Sequence, residues 1–291
     1  MSTLEAPGAA LGEMVNTSRY PLADPDGAEA KEIVAQARRG LEADGCTVLP
    51  DFVHPSLRET LRTECADFAP AAYTRTETVN VYNMAASPDL PADHPGRIPF
   101  ERGNSFVARD RIPSKALISR LYAHSAFRRF VADCFGLQEL HELADPFSAL
   151  VLNVVEPGME HPWHFDTNEF TVSLLTQEAE EGGVFEYCPG IRSAQDENFA
   201  DVRSVIEGRG DGLVKRLPLH PGDLQLFKGR YALHRVSAVR GGTPRHSAIF
   251  AYSERPGVVG SVSRTRQLFG RVRPEHLAAE GRAVRGDQLL D

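Results

Sequence analysis

The stretch His164-Phe165-Asp166 places an imidazole and a carboxylate two residues apart, within a region of short β-type segments. On a β-strand, residues i and i+2 project from the same face, so both side chains can enter one barrel together. A third polar residue, His234, lies in a distant predicted strand that a jelly roll would bring alongside. We therefore predict that His164, Asp166 and His234 converge on one metal ion.

Two neutral imidazoles and one carboxylate occupy one face of an octahedral metal and leave three positions open, which is typical of mononuclear non-haem ferrous sites. Each residue alone has an ordinary structural alternative. His164 suits a core position beside Trp163, Asp166 suits a turn cap, and His234 suits a half-buried site. The combination with the strand pattern favours the metal site.

Three other histidines lie near in sequence, and we interpret them as non-ligands. His161 and His220 each precede a proline in a predicted turn, and His246 points away from Arg245. None of the three has a carboxylate two residues later. The metal prediction is therefore confined to one set of three side chains.

Arg245-His246-Ser247 follows His234 at the distance of one strand and a turn. Arg245 and Ser247 share a strand face, and a planar guanidinium holds a carboxylate through two parallel hydrogen bonds. We predict that they bind the far carboxylate of a metal-chelating co-substrate. Asn153, on an earlier strand, is a further candidate, with a strand-end polar residue as the alternative.

Composition favours a small-molecule substrate over nucleic acid. The chain of 291 residues is 42% hydrophobic and 25% charged, with a formal net charge of −8. A nucleic-acid binder needs a basic face, and the arginines of residues 264–273 are interrupted and lack stacking aromatics. We interpret that segment as a solvated rim.

The expected compartment is the cytoplasm. The first residues lack a basic and apolar leader, and no apolar run approaches the length of a membrane helix. Four cysteines without regular spacing indicate free buried thiols rather than disulfides or a zinc site. No nucleic acid or membrane partner is expected, and the oligomeric state is left open.

The organisation of the chain changes near residue 146. We expect a flexible arm over residues 1–28, and one domain over residues 29–291. We place helices at residues 30–44, 55–68 and 114–135, a long loop at 74–113, and no element after about 255. The remaining predicted segments are short and separated by turn signals, which favours a barrel or sandwich; they are strands at residues 46–53, 148–155, 170–176, 183–188, 213–217, 223–227, 231–239 and 247–252, with a helix at 197–207.

These residues resemble the iron(II)/2-oxoglutarate-dependent oxygenase superfamily, whose pattern is His-x-Asp, a distant His and then Arg-x-Ser. The resemblance covers residues 146–253. The surrounding sequence is similar to the carrier-independent amino-acid halogenases and their hydroxylase relatives. The similar segments include Gly182-Gly183-Val184-Phe185-Glu186-Tyr187 and Pro221-Gly222-Asp223-Leu224. Those halogenases have Gly in place of the metal carboxylate, whereas this chain has Asp166.

The resemblance implies a mainly β fold, a double-stranded β-helix (jelly roll, cupin-like) with N-terminal helices. It implies Fe(2+), with 2-oxoglutarate and O2 as co-substrates. The expected reaction is hydrogen abstraction from an unactivated C–H bond of a small free amino acid or similar metabolite, with hydroxylation as the default and desaturation or cyclisation as related outcomes. Succinate and CO2 are the expected co-products.

The substrate contacts are predicted in and near the long loop. We expect Arg75 to bind a substrate carboxylate, Tyr82 to be a further substrate contact, and Asn168 or Glu169 to meet an ammonium group. Surface placement is the alternative for the loop arginines.

Two other functions stay open at this point. One is a non-oxidative cupin-like protein, either a metal-dependent isomerase or a small-molecule binding protein. The other is an oxygenase that acts on a peptide or a protein.

Overall fold

The computed structural model describes residues 11–103, 105–281 and 289–290. Within that part of the chain, no helix has both the length and the apolar character needed to cross a bilayer. The four cysteines, at positions 46, 65, 134 and 188, are free and buried, as the sequence predicts.

The strands are short, and most have turns at their ends. In chain order they are β1 (Cys46–Leu49), β2 (Tyr73–Thr74), β3 (Glu77–Val79), β4 (Phe100–Arg102), β5 (Ser105–Val107), β6 (His141–Glu142), β7 (Leu150–Val155), β8 (His161–His164), β9 (Thr171–Gln177), β10 (Glu181–Gly182), β11 (Phe185–Cys188), β12 (Lys215–Leu217), β13 (Leu224–Phe227), β14 (Leu233–Val236), β15 (Val239–Arg240), β16 (Arg245–Phe250) and β17 (Tyr252–Ser253).

The helices flank the strands. They are α1 (Leu11–Met14), α2 (Ala28–Asp44), α3 (Arg58–Phe68), α4 (Leu117–Ala123), α5 (Ser125–Phe135), α6 (Phe199–Ile206), α7 (Val262–Phe269) and α8 (Pro274–Ala279). Short 3-10 turns occupy Pro55–Leu57, Ala69–Ala71, Pro95–Arg97 and Arg109–Arg111.

Two antiparallel sheets form the barrel. The larger has the strand order β1-β13-β9-β16-β7-β5-β2, and the smaller has the order β12-β11-β14-β8. Non-consecutive neighbours in both sheets are the mark of a jelly roll. The predicted fold class, a mainly β double-stranded β-helix with flanking helices, is confirmed.

The larger sheet is apolar on the face that meets the helices and more polar on the face that lines the barrel. Leu152, Val154 and Ala248 pack with α2 to α5 in the main core. Asn153 and Ser247 alternate with them along the same strands, so they face the opposite way. The barrel interior is therefore the polar side of this sheet, and it is where a site for charged ligands can form.

Three expectations about local structure differ from what is observed. Residues 11–28, expected to be a loose arm, are packed, and Met14, Val15 and Tyr20 belong to the main core. Residues 1–10 lie outside the described part.

The helix expected over residues 114–135 is two helices, because His124 has an extended backbone and its side chain accepts from the N–H of Ala126 at the start of α5. The C-terminal region, expected to lack elements, forms α7 and α8.

Candidate active site

The three predicted ligands meet at the mouth of the barrel on the smaller sheet. His164 is the last residue of β8, and His234 lies opposite it on β14. Asp166 follows two residues after the end of β8 and is therefore not on the strand. Asp166 therefore does not share a strand face with His164, contrary to the prediction. The carboxylate reaches the site through the turn after the strand instead.

The geometry fits a metal ion bound by three groups. The donor atoms of His164, Asp166 and His234 all lie within 4.8 Å of one another. Asp166 Oδ1 is 3.7 Å from His164 Nε2 and 3.5 Å from His234 Nε2. Neighbouring ligands of an octahedral ion with bonds of about 2.1 Å lie about 3 Å apart. The two distances from Asp166 Oδ1 therefore exceed that spacing by only about 0.5 to 0.7 Å.

Both imidazoles are held with Nε2 toward this point. His164 Nδ1 lies 2.8 Å from the carbonyl of Pro162, and His234 Nδ1 lies 2.9 Å from the carbonyl of Ala232. A carbonyl only accepts, so each Nδ1 carries the proton and donates it. That leaves Nε2 as a lone-pair donor on both rings, which is the tautomer that a metal requires. Burial also lowers the pKa of His164 well below its usual range, which keeps this ring neutral.

Asp166 is held as a carboxylate. Burial alone would raise its pKa, but hydrogen bonding, including that from the Thr171 hydroxyl, contributes to holding the pKa below its usual value. The Thr171 hydroxyl donates to Oδ2 over 2.6 Å, which leaves Oδ1 for a metal.

The chain makes room for this carboxylate at Gly229. A Cβ at Gly229 would lie 2.0 Å from Asp166 Oδ2.

Arg245 begins β16 and is buried on the inner face of the larger sheet, with Ser247 beside it on the same strand. Its Nη1 donates to Ser247 Oγ over 2.7 Å. Asn153 is paired directly with Ser247 across the strands, and its Nδ2 donates to the Ser105 carbonyl. The structure thus brings together the three residues that the sequence assigned to the co-substrate.

The Arg245 guanidinium is buried with few internal partners. Among the described residues no carboxylate lies within 4 Å of it, and Ser247 is its one hydrogen-bond partner. Burial lowers its pKa to about 10, partly offset by Glu178, so it is charged at neutral pH. A buried guanidinium with unused donors fits an anionic ligand.

A cavity of about 260 Å³ lies beside this guanidinium. Arg245 and Phe185 both line it. The Phe185 ring also lies 5.6 Å from the His234 ring, centroid to centroid. Phe185 therefore spans the distance between the candidate co-substrate residue and a candidate metal ligand.

The predicted substrate residues are not all brought to the mouth. Arg75 is exposed and lines a small cleft with Arg102 and Phe106. Asn168 is half-buried and Glu169 is exposed in the turn after Asp166.

Tyr82, predicted to contact substrate, is instead buried behind the turn that carries Asp166. Its ring stacks on that of Phe165 at 5.9 Å in an apolar cluster outside the smaller sheet. The placement in the long loop is correct, but this part of the loop turns inward to pack rather than toward the mouth.

His161 was interpreted as a turn residue, but it lies at the site. Its ring stacks on the His164 ring at 3.9 Å and 9°. A register shift between β8 and β14 turns His161, three residues before His164, to the same side. A bulge of this kind breaks the two-residue period, so alternation along the sequence could not reveal it.

Comparisons with known proteins agree with this fold. Residues 29–266 match the family described as halogenase D. No curated protein sequence gives a match.

Among solved structures, AviO1 from Streptomyces viridochromogenes Tue57 has a TM-score of 0.52 at 15% identity, covering 77% of this chain and 96% of that chain. A prolyl hydroxylase from Trichoplax adhaerens, in complex with a hypoxia inducible factor peptide fragment, has a TM-score of 0.51 at 12% identity, covering 77% and 90%. The non-heme α-ketoglutarate-dependent epimerase SnoN of nogalamycin biosynthesis has a TM-score of 0.50 at 13% identity, covering 77% and 83%.

Similarity at this level of identity establishes the shared fold. The family model matches one continuous stretch of this chain, which extends from the start of α2 into α7. The chain therefore belongs to the family described as halogenase D.

Proposed function

We propose that this protein oxidises an unactivated C–H bond of a small free amino acid or amino-acid-like metabolite, with hydroxylation as the default outcome. The observation that carries the proposal is a buried, charged Arg245 that shares the barrel interior with the His164–Asp166–His234 set. We further propose that residues 29–291 act as one domain in this reaction.

The iron(II)/2-oxoglutarate-dependent oxygenases, which this chain resembles, use Fe(2+), 2-oxoglutarate and dioxygen. The two imidazoles and one carboxylate of the candidate site fit the iron. His164, Asp166 and His234 would hold the iron, and Arg245 with Ser247 would bind the far carboxylate of 2-oxoglutarate. Asn153 is proposed as a further polar contact to the co-substrate. The bound iron, with 2-oxoglutarate and dioxygen, supplies the oxidising power, and succinate and CO2 are the co-products.

Backbone and side-chain groups of this chain have three tasks in that reaction. The carbonyls of Pro162 and Ala232 orient the two imidazoles. Arg245 fixes one end of the co-substrate through charge-assisted hydrogen bonds, which sets its distance from the iron. Phe185 and Phe227 pack against the His234 ring and exclude water from that side of the site.

Asp166 decides between oxygen transfer and halogenation. The halogenases that this chain resembles have Gly at the metal carboxylate, which leaves room for a halide. Here Asp166 fills that position, and Thr171 and Gly229 are arranged around its carboxylate. We therefore propose oxygen transfer or a related hydrogen-abstraction outcome, and no halogenation, although the family carries a halogenase name.

The substrate would enter from the side of Arg75. Arg75 and Phe106 line the same cleft, and the Phe106 ring lies 6.3 Å from the His161 ring, which stacks on His164. We keep Arg75 as the proposed partner of a substrate carboxylate. Asn168 and Glu169 remain the proposed partners of an ammonium group.

The co-substrate part of the proposal is tested without a substrate. The protein is titrated anaerobically with Fe(2+) and 2-oxoglutarate, and we expect the weak visible charge-transfer band of the chelate. Asp166→Ala is the matched control and should show a weaker band. An iron-loaded protein that gives no band with 2-oxoglutarate would instead support the non-oxidative cupin-like alternative.

The substrate part is tested by a mass-spectrometric screen of free amino acids, with iron, 2-oxoglutarate and air. We expect one class of amino acid to gain an oxygen atom, or to lose two hydrogen atoms, and to stimulate succinate release. Stimulation by peptides alone would contradict the small-molecule assignment.

A further inference from the structure

Phe165 lies between the candidate ligands His164 and Asp166, and a loop that is remote in sequence holds its backbone. The pairing of β8 with β14 ends at His164, so the strand ladder does not hold Phe165. Instead the Phe165 N–H donates to the Val81 carbonyl over 3.2 Å. The Phe165 carbonyl accepts from Asn83 Nδ2 over 2.9 Å. Both backbone groups of Phe165 are therefore bonded to residues 80–84.

Hydrogen bonds within residues 80–84 fix the shape of this loop. Asn80 is buried, and its Oδ1 accepts from the N–H groups of Tyr82 and Met84. Asn83 has a φ of 58°, in the left-handed region where Asn is among the few tolerated residues. The backbone turn aims the Asn83 side chain at the Phe165 carbonyl.

Asn83 also links this loop to the barrel mouth. Its Oδ1 accepts from Arg102 Nη1 over 2.8 Å. Arg102 is buried and paired with Glu77, and both line the cleft that contains Arg75. The Asn83 amide thus donates to the turn that leads into Asp166 and accepts from Arg102, which is ion-paired with Glu77 at the mouth.

We propose that Asn83 is a positioning residue for the metal site, acting through the Phe165 carbonyl on the Asp166 carboxylate. The inference rests on the proposed function, because it gives Asp166 the role of an iron ligand. One peptide unit separates the Asn83 contact from Asp166, whose own N–H is held by the Gly229 carbonyl. With the Asn83 donor lost, the peptide group that leads into Asp166 keeps only its Gly229 anchor, while the carboxylate keeps its hydrogen bond from Thr171.

The perturbing variant is Asn83→Asp. It keeps an oxygen acceptor for Arg102 and a residue type that tolerates positive φ, but it replaces the donor to Phe165 with a second acceptor. Asn198 provides a matched control. It also has positive φ, at 47°, and its Nδ2 donates to the Ile191 carbonyl over 2.9 Å, without contact to Phe165.

The experiment measures metal binding directly, by anaerobic titration of the intact protein with Co(2+) and with Fe(2+). Co(2+) absorption in the visible range reports the coordination geometry. We expect Asn83→Asp to raise the dissociation constant by about 10- to 100-fold, the usual effect of losing a group that orients a ligand, and to change the Co(2+) spectrum. Asn198→Asp should match the parent protein in both respects.

Melting of the metal-free proteins separates positioning from folding. Asn83→Gly is a second variant, since glycine adopts the same backbone without the side chain. Parent-like metal affinity and spectrum in both Asn83 variants would overturn the inference, and so would loss of folding in both. A parent protein that binds neither ion would reject the proposed function, and this inference with it.

Discussion

Gly229→Ala adds one methyl group at the most crowded point of the site. The new Cβ would lie 2.0 Å from Asp166 Oδ2, 2.7 Å from its Cγ and 2.9 Å from its Cβ. Gly229 is not among the glycines with positive φ, so alanine suits the backbone itself. The substitution therefore tests the space around the carboxylate and little else.

The size of the effect follows from these distances. Ordinary contact of a Cβ begins near 3.4 Å, so the carboxylate has to move by more than 1 Å. Metal-ligand distances are held to about 0.2 Å. A displacement of about 1 Å at a reacting centre costs about 100-fold in rate. We expect iron affinity to fall by at least about tenfold and 2-oxoglutarate turnover by about 100-fold.

The assay is iron titration followed by succinate release, with Gly212→Ala as the control. A Cβ at Gly212 meets nothing within 4 Å, so that variant should behave as the parent protein does. If Gly229→Ala binds iron and releases succinate at parent levels, then Asp166 does not ligate the metal in the observed conformation. The proposed ligand set would then be refuted.

Arg245→Ala should weaken 2-oxoglutarate binding by about 30-fold or more, because removing one partner of a buried charge pair costs about 2–5 kcal/mol; the charge-transfer band measures it, and unchanged affinity would exclude Arg245 from the co-substrate site. With chloride present, mass spectrometry should find no chlorinated product from the parent protein, and any such product would contradict the role given to Asp166. Asp110→Asn should lower the free energy of unfolding by about 1 kcal/mol near neutral pH, because Arg271 and Arg273 hold the pKa of Asp110 below its usual value at a surface position where solvent screens the ion pairs. This contribution is present above the ordinary carboxyl pKa and fades as the pH falls through the lowered one, so urea unfolding should show parent and variant converging in acid.

The sequence predicted the barrel well because its signals are local. Turn residues mark the strand ends, and alternation placed Arg245 and Ser247 on one face, as β16 has them. The meeting of His164 and His234 also followed from the expected pairing of distant strands. Asp166 reached the site by a turn rather than by the strand, so the spacing gave the correct residues for an incomplete reason.

The parts that the sequence did not reveal depend on tertiary contacts. Met14 and Tyr20 sit in a segment rich in turn-forming residues, and only the core they join shows that the segment is ordered. α7 is short and basic, with Ser261 as its N-cap and Gly270 after its end, so its signal is weak without the barrel behind it. Tyr82 shares a loop with polar residues, and nothing local distinguishes a packed ring from a ligand contact.

Trp163 precedes His164, is nearly buried, and has the Arg235 guanidinium 4.7 Å from its ring centre. It is the only tryptophan in the chain. Its emission therefore comes from one place, a single peptide bond away from a proposed ligand. Paramagnetic ions quench a nearby indole, so fluorescence of the unlabelled protein should follow iron loading at dilutions where no colour is visible.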